Sequence, residues 1–190
     1  GMGTNGAAVA AELTRIVHEE DPTRPTTAAC NSARPDSPFP AAIDAVGLNY
    51  QGARGSNPQY PIFHQTFTNK FVFGSETEST ISSRGEYTFP VAAQPGAVSS
   101  AFGGRGRGAA ATNAPPAAPP GQDVANHQMS SYDLYYPSWA TSPDTEFAAQ
   151  DRYPFVGGQF VWTGFDYLGE PTPWGGRNDP SRSSYFGIID

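Results

Sequence analysis

Cysteine is nearly missing from this chain. Cys30 stands alone among 190 residues, which excludes an internal disulfide framework and any cysteine-based metal cluster. Basic residues are scarce: 11 Lys and Arg face 18 Asp and Glu, for a net charge of −7. That balance argues against a nucleic-acid partner, because binders of phosphate backbones carry basic patches. The one basic run, Arg105-Gly106-Arg107, is too short to alter this. No apolar stretch approaches the ~20 residues of a membrane span, so no membrane partner is expected. Residues 1–6 have neither the charged nor the apolar segment of a signal peptide, and no compartment follows. The histidines, His18, His64 and His127, lack metal-ligand spacing. No metal-ligand residues are assigned and no cofactor is expected, while metal dependence stays open.

What is abundant is turn-forming and aromatic. The chain has 21 Gly and 19 Pro, so long stretches belong to turns and loops. Aromatics make up 13%, with 12 Phe, 9 Tyr and 3 Trp. They crowd into residues 132–139 and 153–174. Such a density suits a ring-rich core or a surface that stacks on flat ligand faces.

Residues 7–20 read as a helix, because Val9, Leu13, Ile16 and Val17 share one face. Asn5 is the expected N-cap and Asp21-Pro22 the stop. Short β-prone runs follow at 26–30 and 45–50, separated by a Pro-rich connection. Residues 60–67 read as a short helix and 71–74 as a strand. Ordered sequence resumes at 128–139 and 145–153, and 159–163 reads as a last strand. Alternating helices and strands favour a parallel sheet with crossovers. Residues 91–122 differ: Gly, Ala, Pro and Ser dominate, with too little apolar surface to offset the entropy of ordering. They read as a mobile insertion within one domain, 1–190, because neither flank is complete alone. Four parallel strands are half of the eight in a closed (β/α)-barrel. The alternative is a small open α/β sheet.

The stretch Phe71-Val72-Phe73-Gly74-Ser75-Glu76-Thr77-Glu78 is the most informative. An apolar run reads as a buried strand, and Glu76 is the first charged group beyond it. In a (β/α)-barrel the C-terminal strand ends carry the chemistry. The later run from Gly157 to Tyr167 repeats the pattern with Trp162 in the carboxylate's place. A carboxylate on one strand end and an indole on another suit a sugar-cleaving site. Glu78 shares strand parity with Glu76 and competes with it. Read without further context, Glu76 is equally a solvated turn residue, Tyr50 a core tyrosine and Trp162 a space-filling ring. Asp21 and Arg24 read as a structural pair at a helix–strand junction.

Four blocks resemble glycoside hydrolase family 2, and the β-galactosidases within it, in the family's order. They are His18-Glu19-Glu20-Asp21-Pro22-Thr23-Arg24-Pro25-Thr26, Val46-Gly47-Leu48-Asn49-Tyr50, Phe73-Gly74-Ser75-Glu76-Thr77, and the long block from Gly158 through Trp162 and Asp166 to Trp174. The closing Arg182-Ser183-Ser184-Tyr185-Phe186-Gly187-Ile188-Ile189-Asp190 is similar too. The resemblance implies strands five to eight of a (β/α)₈ catalytic barrel. It implies Glu76 as nucleophile and Tyr50 as its phenolic neighbour. Asn49, Asn31, Trp162 and Trp174 become sugar contacts, Trp174 being equally suited to turn packing. The family's acid/base, in an Asn-Glu pair on the fourth strand, has no match here; residues 1–6 resemble the sequence just after it. The expected ligand is a β-galactoside or related oligosaccharide. A β-glucuronidase, a β-mannosidase and a non-catalytic carbohydrate-binding piece are the alternatives.

Overall fold

A computed structural model describes residues 2–54, 57–92, 96–98, 120–170, 172 and 183–189. The elements run α1 (Thr4–Glu20), β1 (Thr27–Cys30), a 3₁₀ turn (Pro40–Ala42), β2 (Ala45–Asn49), α2 (Tyr60–Thr66), β3 (Val72–Glu78), β4 (Gly96–Val98), β5 (Gln122–Asp123), β6 (Gln128–Met129), β7 (Tyr135–Pro137), α3 (Pro143–Arg152) and β8 (Val156–Trp162). They form two compact units, Gly1–Thr77 with Asp144–Val161, and Glu78–Pro143 with Trp162–Asp190. The principal sheet has the order β1-β2-β3-β8, with β1, β2 and β3 parallel. This is an α/β architecture.

In the first unit, every residue of β2 is buried, as expected of a parallel strand covered on both faces. Val46, Leu48 and Val72 pack with Tyr60 and Phe63 of α2, and Cys30 joins them. Burial pushes the Cys30 thiol up to about 11, so it behaves as a small apolar residue. The Lys70 ammonium ties the 3₁₀ turn down by donating to the carbonyls of Pro40 and Ala41, each at 2.9 Å, and of Ile43. Asp44 does the same for β1. It accepts from the Thr26 N–H at 2.6 Å and hydroxyl at 2.7 Å, and from His18 Nε2 at 2.8 Å. The Thr26 donors, the backbone N–H first, hold the Asp44 carboxyl below its usual range. His18 therefore links the last turn of α1 to the sheet. Arg24 lies 3.3 Å from Asp21, the junction pair read from the sequence.

The helix start differs from expectation. Gly3, not Asn5, is the N-cap, with extended backbone and no side-chain bond. Its carbonyl accepts the Ala7 N–H at 2.9 Å. Ser, Asn and Asp favour caps because they bond the first free N–H groups, yet Asn5 lies inside the first turn. The helix also turns its small residues inward. Ala7 and Ala10 are buried, whereas Val9, Leu13, Ile16 and Val17 are exposed. Val9, Leu13 and Val17, with Phe39 and Ile43, line an apolar groove of about 680 Å³ beside β1.

Among the described residues, β1 and β8 each have one sheet neighbour. Open edges beside an apolar groove promote pairing with other chains. The 190-residue chain on its own is therefore expected to self-associate in size-exclusion and light-scattering measurements. A monomer with a single cooperative unfolding transition would contradict this.

In the second unit, Ile81, Met129, Tyr135 and Phe186 form a buried cluster flanked by Trp139, Trp162 and Tyr185. β4 pairs with β7 in parallel, and β5 with β6 antiparallel. Of the expected insertion at 91–122, residues 93–95 and 99–119 lie outside the described residues, while Gly96–Val98 and Gln122 belong to strands.

Candidate active site

The parallel register sets the C-terminal ends of β1, β2 and β3 side by side. Cys30 pairs with Leu48, Leu48 with Gly74, and Asn49 with Glu76. The register slips between Leu48 and Asn49, so one step on β2 spans two on β3 and Ser75 is the extra residue. Such a bulge bends a strand and re-aims the side chains beyond it. Ser75 Cβ sits 2.8 Å from where a Gly47 side chain would begin, so the glycine leaves room for the bulge.

Just past the slip, the Tyr50 N–H donates to the Glu76 carbonyl at 2.9 Å. Tyr50 has φ of +53°, a left-handed conformation that is costly for an aromatic residue and concentrates at functional sites. The structure thus joins Tyr50 to Glu76 through the backbone. Asn49 is buried and Glu76 half-buried. Asn31 follows β1 directly, is exposed, and gives its N–H to the Ala29 carbonyl at 3.1 Å. The sheet therefore brings Asn31, Asn49, Tyr50 and Glu76 to adjacent strand ends. Beyond Glu76, the buried Thr77 hydroxyl donates to Gln159 Oε1 of β8 at 2.7 Å.

Behind this row lies a contact the sequence reading missed. Tyr60 is fully buried, and its hydroxyl donates to Oε1 of Glu146, also buried, in α3. Burial raises the Glu146 carboxyl above its ordinary value, and burial first, then the nearby carboxylate, raises the Tyr60 phenol. Two glycines make space for Tyr60. A side chain at Gly52 would overlap its ring, and one at Gly74 would begin 2.8 Å from its hydroxyl and 2.5 Å from Thr77 Cγ2. Gly74 stands two residues before Glu76, so the Tyr60–Glu146 pair backs the strand that carries the carboxylate. The available sequence signal was a glycine inside a strand, which marks a close approach.

The second unit holds the other expected residues. Trp162 ends β8; its Nε1–H donates to the Tyr167 hydroxyl at 3.1 Å, and Tyr167 donates to Glu170 at 2.6 Å. The Trp162–Thr163 peptide is cis. Asp166 accepts from the Ser184 hydroxyl at 2.7 Å and from the Gly187 N–H at 2.8 Å, which fixes the loop after β8. Glu78, the competing carboxylate, is buried with φ of +64°, and its carbonyl accepts from the Thr141 N–H at 3.1 Å. Trp174 lies outside the described residues. Among the described residues no three His, Cys, Asp or Glu side chains are grouped to hold a metal ion, and no helix is long and apolar enough to cross a membrane.

The described site is a carboxylate on a bulged C-terminal end of a parallel strand in an α/β architecture. No protein-family profile matches the chain. It is 32% identical to the beta-galactosidase BoGH2A of Bacteroides ovatus over 184 residues, 94% of this chain and 18% of that protein. Three solved structures share the fold. A beta-glycosidase from Bacteroides vulgatus aligns over 96% of this chain and 22% of its own, with TM-score 0.63 and 23% identity. A putative beta-galactosidase from Bacteroides fragilis covers 97% and 23%, with TM-score 0.54 and 14% identity. An FMN-binding beta-glucuronidase from Facaelibacterium prausnitzii covers 100% and 24%, with TM-score 0.51 and 17% identity. The chain thus spans about a fifth of the length of each. The sequence is therefore similar, along nearly its whole length, to a part of a β-galactosidase, consistent with the resemblance to glycoside hydrolase family 2.

Proposed function

We propose that the chain forms the C-terminal half of the catalytic (β/α)₈ barrel of a retaining β-galactosidase, with Glu76 as the nucleophile. The observation that carries this reading is Glu76 itself. It follows a bulge at the end of a parallel strand, beside Asn49 and Tyr50, in a chain related along nearly its whole length to a beta-galactosidase.

The chemistry requires two carboxyl groups about 5–5.5 Å apart. Glu76 Oε attacks the anomeric carbon as the bond to the leaving oxygen breaks, and a carboxylic acid protonates that oxygen. Water then releases the sugar from Glu76, giving its proton to the same acid/base. Two inversions leave the configuration retained. Ionised Glu76 benefits from donors around it, and the Tyr50 phenol is assigned that role. Asn49 and Asn31 are assigned to sugar hydroxyls, and the Trp162 indole, with Trp174, to an apolar sugar face. The acid/base is assigned to an Asn-Glu pair on a strand outside these residues, so the 190-residue chain is expected to show no turnover alone.

The reading predicts cleavage by the intact protein of an aryl β-galactoside in preference to the matching β-glucuronide and β-mannoside. A panel of the three substrates measures it by kcat/KM. Preference for the glucuronide or mannoside would move the specificity within the family. Cleavage of none would remove the glycosidase reading.

A further inference from the structure

In the second unit, two loops are laced into a rigid ledge carrying three exposed rings. The Ser131 N–H donates to the Glu86 carbonyl at 2.8 Å, and the Ser83 N–H to the Met129 carbonyl at 2.8 Å. The Met129 N–H returns to Ser83 Oγ at 2.9 Å, and the Ser130 hydroxyl bonds the Thr88 carbonyl. On this ledge Tyr87, Phe89 and Tyr132 stand 56%, 68% and 42% exposed. Tyr132 meets Tyr87 at 5.2 Å and Phe89 at 5.9 Å between centroids, at 70° and 63°. Each edge-to-face contact covers one face of one ring, and the remaining surface of the three rings is solvent-exposed. Contiguous exposed apolar surface of this kind marks a binding site.

We propose that Tyr87, Phe89 and Tyr132 form a platform for a β-linked oligosaccharide. The choice of ligand rests on the glycosidase reading for its class and on the rings for its shape. Their faces match the flat C–H faces of pyranose rings, and the two phenols can bond the hydroxyls at a sugar's edge. The backbone bonds hold the loops before any ligand arrives, so little ordering cost is added on binding. The clustering of aromatics at 132–139 is the sequence feature that the catalytic reading left unused.

The test is calorimetric titration of the intact protein, carrying Glu76→Gln to block turnover, with β-1,4-galactotetraose and with cellotetraose; methyl β-galactoside is the one-sugar control. At least one tetrasaccharide is expected to bind tighter than the control. The pair Tyr87→Leu and Tyr132→Leu, which keeps apolar area but removes ring faces, is expected to weaken that binding about tenfold. The pair Tyr87→Phe and Tyr132→Phe should stay within about threefold of the starting protein. Should the leucine pair fail to fold, Phe89→Leu alone decides on the same criterion, with a several-fold loss expected. Tetrasaccharide binding no tighter than the control overturns the platform, as does unchanged binding by a folded leucine variant. Because heat is read rather than turnover, these failures are distinct from inactivity towards an aryl galactoside, which would strike the glycosidase reading.

Discussion

With Glu76 as the proposed nucleophile, replacing it by Gln is expected to lower kcat of the intact protein at least about a thousandfold with no change in unfolding midpoint. An amide cannot form the glycosyl–enzyme intermediate, whereas its shape is nearly that of the carboxylate. Because Glu76 is half-buried on a bulged strand end, an isosteric change costs little packing. Tyr50→Phe is expected to slow turnover less, since it removes one hydroxyl and leaves both the carboxylate and the main-chain bond from Tyr50 to Glu76. Glu78→Gln is the internal control and is expected to keep most activity. An active Glu76→Gln beside a dead Glu78→Gln would put the nucleophile two residues further along.

The second large effect concerns stability. Tyr60→Phe leaves the Glu146 carboxyl buried without the phenol that bonds it, a loss of about 1–3 kcal/mol. Tyr60→Ala adds a cavity beneath Gly52 and Gly74 and is expected to cost about 3–5 kcal/mol. Both are read from denaturation midpoints of the intact protein. Glu146→Gln behaves differently. The folded protein holds the Glu146 proton more tightly than the unfolded chain, whose ordinary value is 4.5. The stability this group contributes is therefore complete below that value and is lost as pH rises through the raised folded value. Glutamine lacks that loss yet can still accept from the phenol. The stability of Glu146→Gln relative to the starting protein is expected to improve as pH rises from the ordinary value of 4.5 through the raised folded value. A difference independent of pH would mean that Glu146 titrates alike in both states.

Much of the first unit was legible. The apolar runs around Leu48 and Val72 are short, dense and bounded by turn residues, and β2 and β3 fall on them. The helix at α1 and its stop at Asp21 were equally visible. The far half of β3 was not. Ser75, Glu76, Thr77 and Glu78 alternate in no apolar pattern, because that part of the strand carries the bulge and a buried polar contact rather than a core. Glu146 was invisible for another reason. A carboxylate in the first turn of a helix ordinarily complements the helix dipole at the surface, and nothing local shows that its partner is Tyr60. The pair β4 with β7 joins segments distant in sequence, and the β5–β6 hairpin has strands of only two residues, so short-range periodicity carries no trace of either. The exposed valine, leucine and isoleucine of α1 mark the opposite case: the pattern identified an apolar face, and the small face made the contact.

The Tyr60–Glu146 bond also orders events in time. Its partners are 86 positions apart, and everything from Glu78 to Pro143 lies between them. On a ribosome, β1, β2 and β3 emerge with Tyr60 well before α3 supplies its acceptor. The strand bearing Glu76 is therefore backed only late in synthesis, and a contact of such long range slows folding. The length of what intervenes matters less than its presence. Closure entropy grows with the logarithm of loop length, so each doubling adds only about 0.6 kcal/mol. Insertions between β3 and α3 can thus lengthen at small thermodynamic cost, which leaves that stretch open to variation while the residues it separates stay bound to one another.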